Sequence, residues 1–156
     1  KALAIGADDS VRIDADPTDS FQVASEIAAY AKDKGFDLII TGRESIDYNG
    51  GAVPGMVAEL LGINSVSPCV KIDINGAEAT MQTMIDGGKE VVKSALPVVA
   101  AAQKGMENSA HQGANVSGAF KIVGDLPVGP VFLVDDLVDS RWTLTEVGRI
   151  LRQYGS

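Results

Sequence analysis

Two stretches of this chain place residues with usable chemistry at short spacing. The first is Gly42-Arg43-Glu44-Ser45-Ile46-Asp47-Tyr48-Asn49-Gly50-Gly51-Ala52-Val53. Its glycines let main-chain N–H groups approach phosphate oxygens, and a helix starting just after them favours an anion at its first turn. Ser45, Asp47 and Asn49 have the groups to hydrogen-bond a ribose or a base edge. The second is Val131-Phe132-Leu133-Val134-Asp135-Asp136-Leu137-Val138-Asp139-Ser140-Arg141-Trp142-Thr143. Adjacent carboxylates at Asp135 and Asp136 can accept hydrogen bonds from paired ribose hydroxyls. The turn from Asp139 to Thr143 can wrap a 5′-phosphate with main-chain N–H groups and the hydroxyls of Ser140 and Thr143. Each stretch also has a plainer reading. Glycines serve strand-to-helix turns without any ligand, and an acidic loop at a sheet edge needs none either.

Both loops require a strand before them and a helix after them, and the surrounding pattern supplies both. Asp37-Leu38-Ile39-Ile40-Thr41-Gly42 is a short apolar run between turn signals, the pattern of a parallel strand buried on both faces. Before it, Asp16-Pro17-Thr18-Asp19 offers helix caps, Phe21, Ala24, Ile27, Ala28 and Ala31 fall on one helical face, and Gly35 marks the stop. After the first loop, Met56, Val57, Leu60 and Leu61 give a second helix ending at Gly62. The middle alternates with period two: Val70 to Ile74, an Asn75-Gly76 turn, Ala79 to Met84, a turn at Asp86-Gly87-Gly88, then Glu90 to Lys93. This antiparallel meander closes on a buried strand, Leu96-Pro97-Val98-Val99-Ala100. In the last unit Val131 to Val134 reads as a central strand, and Leu144, Val147, Ile150 and Leu151 recur at helical spacing. The fold class is therefore α/β: three layers, a mostly parallel sheet with flanking helices and an antiparallel hairpin insertion.

Composition narrows the function classes. The 156 residues carry 13 basic and 21 acidic side chains, a net charge of −8, which opposes a nucleic-acid partner in the absence of a basic patch. One cysteine, Cys69, rules out an intrachain disulfide and fits a reducing, cytoplasmic setting. One His and one Cys are too few for a structural zinc site, so no metal is expected outside phosphoribosyl chemistry. No apolar run reaches the ~20 residues that span a bilayer, and the start lacks the apolar length of a signal peptide. His111 reads as a solvated side chain and Cys69 as a buried inert thiol.

The loop at 42–53 resembles that of the β subunit of electron transfer flavoprotein, a Gly-Arg/Lys-Glu/Gln-Ser/Ala-Ile-Asp segment around an adenine nucleotide. The resemblance extends to Ala2-Leu3-Ala4-Ile5-Gly6-Ala7-Asp8-Asp9, to Gln22-Val23-Ala24, and to Ile85-Asp86-Gly87-Gly88 followed by Leu96-Pro97-Val98-Val99, covering about residues 1–106. It implies AMP or FAD as cofactor, with Gly42, Arg43, Glu44, Ser45, Asp47, Tyr48, Asn49, Gly50, Gly51, Ala52 and Val53 in contact. It also implies an α-type partner subunit, without which no electron transfer is expected. The family has further strands before the point where this chain begins.

The acidic loop is similar to the phosphoribosyl-pyrophosphate motif of type I phosphoribosyltransferases, closest to the domain of that class appended to some bacterial helicases. Asn108-Ser109-Ala110-His111-Gln112 and Gly118-Ala119-Phe120 resemble the stretch before the motif, and Arg141 stands where many members have Gly. This resemblance covers residues 107–156 and implies Asp135, Asp136, Asp139, Ser140 and Thr143 as phosphoribosyl contacts, with Mg²⁺. Two segments, 1–106 and 107–156, are thus expected, joined in one continuous sheet. Three functions follow: an adenine-nucleotide module of an electron-transfer subunit, a phosphoribosyl-binding fragment, or a designed or recombined chimera without activity.

Overall fold

The computed structural model describes residue 3 and residues 7–16, 18–43, 50–103, 120–135 and 147–154. Helix α1 (Ser20–Ala31) begins where reciprocal caps fix its first turn. The Asp19 carboxylate accepts from the Gln22 N–H at 2.8 Å, and Gln22 Oε1 accepts from the Thr18 N–H and hydroxyl, both at 3.0 Å. Ala24, Ile27, Ala28 and Ala31 are buried as the spacing requires, whereas Phe21 is 58% exposed. A side chain in the first turn leans toward the N-terminus, off the body of the helix. The helix also stops earlier than Gly35. Lys32 leaves helical geometry, and Asp33 takes a left-handed conformation (φ 61°), which aspartate tolerates.

Strand β1 (Leu38–Gly42) leads through the first loop into α2 (Val53–Leu61), which ends at left-handed Gly62. Then come β2 (Asn64–Asn75), β3 (Glu78–Ile85), β4 (Gly88–Ala95) and β5 (Val98–Ala102). They are followed by β6 (Lys121–Gly124), β7 (Val131–Leu133) and α3 (Gly148–Tyr154). All seven strands belong to one sheet in the order β4-β3-β2-β5-β1-β7, with β6 against β2 off that path. The β1–β5, β1–β7, β2–β5 and β2–β6 pairs are parallel, and β2–β3–β4 is the antiparallel meander.

Strand β2 starts at Asn64, six residues before the alternating stretch that begins at Val70. Its first part, Asn-Ser-Val-Ser-Pro-Cys, has no strand-like period. Parallel pairing of Asn64 with Val98 and Val66 with Ala100 determines it, a tertiary effect that local pattern does not carry. The register shifts between Val66 and Cys69, around Pro68, which has no N–H to donate. Strand β6 is the other element that the periodicity did not announce. Strand β7, read as central, pairs with β1 alone among the described residues and its three residues are only half-buried.

Side chains alternate across the sheet, so it has two apolar faces. Ile39 and Val99 pack on one face with Ala24, Ile27 and Ala31 of α1 and Val57 and Ala58 of α2. Leu38, Ile40, Val98, Ala100, Ile72 and Met81 pack on the other with Phe120, Ile122, Val147 and Ile150. Three contacts tie β7 to the rest. The Asp37 carboxylate accepts from the Gly129 N–H at 2.7 Å, the Asp37 N–H donates to Pro130 O at 3.1 Å, and Val134 N–H donates to Ile40 O at 2.8 Å. Phe132 also stacks on Phe36 (4.8 Å between centroids) and tilts against Tyr30 (5.3 Å).

Candidate functional site

The carboxyl ends of parallel strands are where a sheet of this class leaves room for a ligand. Here β1, β5 and β7 end together: Gly42 pairs with Ala102, and Ile40 with Leu133. Arg43, Gln103 and Asp135 therefore follow the strands along one edge. From the first motif, Gly42 and Arg43 lie half-buried at the end of β1, and Gly50 and Gly51 are exposed just before α2. Ala52 and Val53 form the helix start, half-buried. Glu44, Ser45, Asp47, Tyr48 and Asn49 lie outside the described residues. From the second motif, Asp135 is half-buried two residues past β7, level with Gly42 by register. Asp136, Asp139, Ser140 and Thr143 lie outside the described residues, as do His111 and Trp142. The carboxyl edge thus brings the described ends of both motifs side by side.

The start of α2 suits an anion. Its N-cap is Ala52, whose side chain makes no capping bond, so the first-turn N–H groups have no side-chain acceptor from that residue. Gly51 before it is left-handed (φ 51°), a conformation costly to most residues with a Cβ. Pro54 in the first turn has its φ already set for the helix.

Two buried polar atoms at this edge were not singled out by the motifs. Thr41, the penultimate residue of β1, is 4% exposed, and its hydroxyl has no hydrogen-bond partner among the described residues. Gln103 follows β5, its N–H donating to Cys69 O at 2.9 Å, and its buried Oε1 also has no partner among the described residues. Ile39 and Val99 face α1 and α2, so by alternation Thr41 and Gln103 point to that same face. Buried Ser94 shows the ordinary state: its hydroxyl accepts from Asn64 Nδ2 and donates to Ala95 O. Gln103 had a readable signal, being the first polar residue after an unbroken buried run. Thr41, inside such a run, had little.

Cys69 is fully buried and its thiol is pushed up to about 12, by desolvation first, against a smaller opposing main-chain hydrogen bond at Lys71. That makes it a core side chain rather than a nucleophile. Among the described residues no three His, Cys, Asp or Glu side chains gather as a metal site. Among them, too, no helix is long and apolar enough to cross a membrane.

The electron transfer flavoprotein domain matches residues 1–122. The chain belongs to this family. The match passes residue 106, where the sequence pattern suggested a joint, and reaches into β6 (Lys121–Gly124). It does not extend over β7, Asp135 or α3. The electron transfer flavoprotein subunit beta of Bacillus subtilis is 37% identical over 109 residues, covering 67% of this chain and 42% of that protein. The subunit beta of Syntrophomonas wolfei is 35% identical over 103 residues, 65% of this chain and 41% of the relative. That of Mycobacterium tuberculosis is 36% identical over 103 residues, 64% and 39%. The chain thus spans about two fifths of the length of the curated relatives it matches.

Proposed function

We propose that this chain holds an adenine nucleotide, AMP or the AMP part of FAD, as part of an electron transfer flavoprotein β-type subunit. The contacts are Gly42, Arg43, Glu44, Ser45, Asp47, Tyr48, Asn49, Gly50, Gly51, Ala52 and Val53. It serves electron transfer together with an α-type partner. The observation that carries the reading is the order strand, glycine-containing loop and helix with Ala52 at its N-cap, at a carboxyl edge and within the segment that matches the family. The first-turn N–H groups of α2, with no side-chain acceptor from Ala52, suit a phosphate, and left-handed Gly51 lets the main chain approach it. Where the group is FAD, its ring system supplies the redox chemistry, and these residues hold the adenosine end.

Isothermal titration with AMP tests this. The full chain is expected to bind AMP at one site. Asp47→Asn and Gly51→Val are each expected to weaken binding about 10-fold or more, the first through a lost charge-assisted bond, the second through a Cβ at a left-handed position. Unchanged binding in both variants would place the nucleotide elsewhere.

A further inference from the structure

Thr41 Oγ1 and Gln103 Oε1, without partners among the described residues, bear on how a ligand is oriented. Leaving a buried hydroxyl or amide oxygen without a partner costs more than a made bond contributes, so such atoms are few in folded proteins. Thr41 and Gln103 lie at the ends of adjacent strands and on the same face, toward the helix whose N-cap residue, Ala52, makes no side-chain bond. An amide oxygen is an acceptor only, and a hydroxyl can both donate and accept. As the amide is oriented here, Gln103 presents an acceptor, which suits a ligand group that carries a proton better than a phosphate oxygen.

We infer that Thr41 and Gln103 form the floor of the nucleotide site and hydrogen-bond an uncharged, donor-bearing part of the nucleotide. That part is the adenine 6-amino group or a ribose hydroxyl. The inference rests on the nucleotide reading above. The division of labour follows from the chemistry: the anionic end goes to the N–H groups at the start of α2, and the neutral polar end to the two strands. The same two residues then set specificity, because an analogue without the donor leaves Gln103 Oε1 buried and unpaired.

Titrations of AMP, IMP and 2′-deoxy-AMP against wild type, Gln103→Met and Thr41→Val test it. AMP is expected to bind wild type and to lose about 10-fold in each variant. One analogue should be about 10-fold weaker than AMP on wild type and indifferent to Gln103→Met. IMP in that role assigns the 6-amino group, and 2′-deoxy-AMP assigns the 2′-hydroxyl. Thr41→Val should also melt higher than wild type without nucleotide, by about 2–4 °C, because it removes an unpaired buried hydroxyl. AMP bound equally well by wild type and both variants would overturn the inference and leave the nucleotide reading standing. No AMP binding to wild type would overturn both. A lower melting temperature for nucleotide-free Thr41→Val would show that its hydroxyl serves the fold, and would overturn the role given to Thr41.

Discussion

At the scale of single residues, Cys69 shows how burial decides chemistry. In the unfolded chain its thiol titrates near 9.0, and in the fold it is raised to about 12. The unfolded state therefore gives up its proton first. Stability is unaffected below pH 9 and falls between pH 9 and 12, at about 1.4 kcal/mol per pH unit. Urea unfolding across that range should show the slope in wild type and lose it in Cys69→Ala. A thiol reagent should label Cys69 only as fast as the protein unfolds. The sequence already carried the reading of Cys69 as a buried inert thiol beside an alternating strand pattern. It did not carry Asp37, whose carboxylate and main-chain N–H both bond the segment before β7, 92 residues away for the carboxylate bond. Nothing in an Asp before a strand announces so distant a partner.

At the scale of elements, the legible parts were those whose pattern is local. The hairpin turn at Asn75-Gly76, the caps of α1, the left-handed Gly62 and the apolar β1 and β5 all follow from residue type and period. The first half of β2, the whole of β6 and the edge position of β7 depend on pairing between distant residues, which period does not encode. The anchoring of β7 is correspondingly testable. A Cβ on Gly129 would lie 2.6 Å from Asp37 Oδ2, so Gly129→Ala must break or move that bond. Phe132→Ala removes the ring that stacks on Phe36 and tilts against Tyr30. Each is expected to destabilise the protein by about 2 kcal/mol, less than a fully buried aromatic because Phe132 is half-buried. Chemical denaturation of each variant measures this. A loss below about 0.5 kcal/mol in both would mean that β7 is held by its main-chain bonds alone.

At the scale of the whole molecule, the two resemblances in the sequence meet in one sheet. Strand β6 pairs with β2 and β7 with β1, so the C-terminal residues complete both apolar faces: Phe120 and Ile122 on one, Phe132 and Val134 on the other. Shared faces couple the halves, and a single cooperative unfolding transition is expected. The one tryptophan, Trp142, lies in the C-terminal half, while far-ultraviolet dichroism reports the sheet and helices throughout. The two signals should give coincident melting curves. Tryptophan fluorescence changing well before the dichroism would mean that the C-terminal half melts alone.

The same arrangement places the ends of both motifs, Gly42 and Asp135, at the carboxyl edge of adjacent strands. A thermal-shift scan of the full chain with AMP, FAD, and phosphoribosyl pyrophosphate with Mg²⁺ asks most directly which chemistry that edge performs. A ligand at ~100 times its dissociation constant adds about 2.7 kcal/mol, several degrees for a domain of this size. An upward shift with AMP or FAD and none with phosphoribosyl pyrophosphate is the expected result. A shift with phosphoribosyl pyrophosphate alone, or with none of the three, would contradict the assignment of an adenine-nucleotide site.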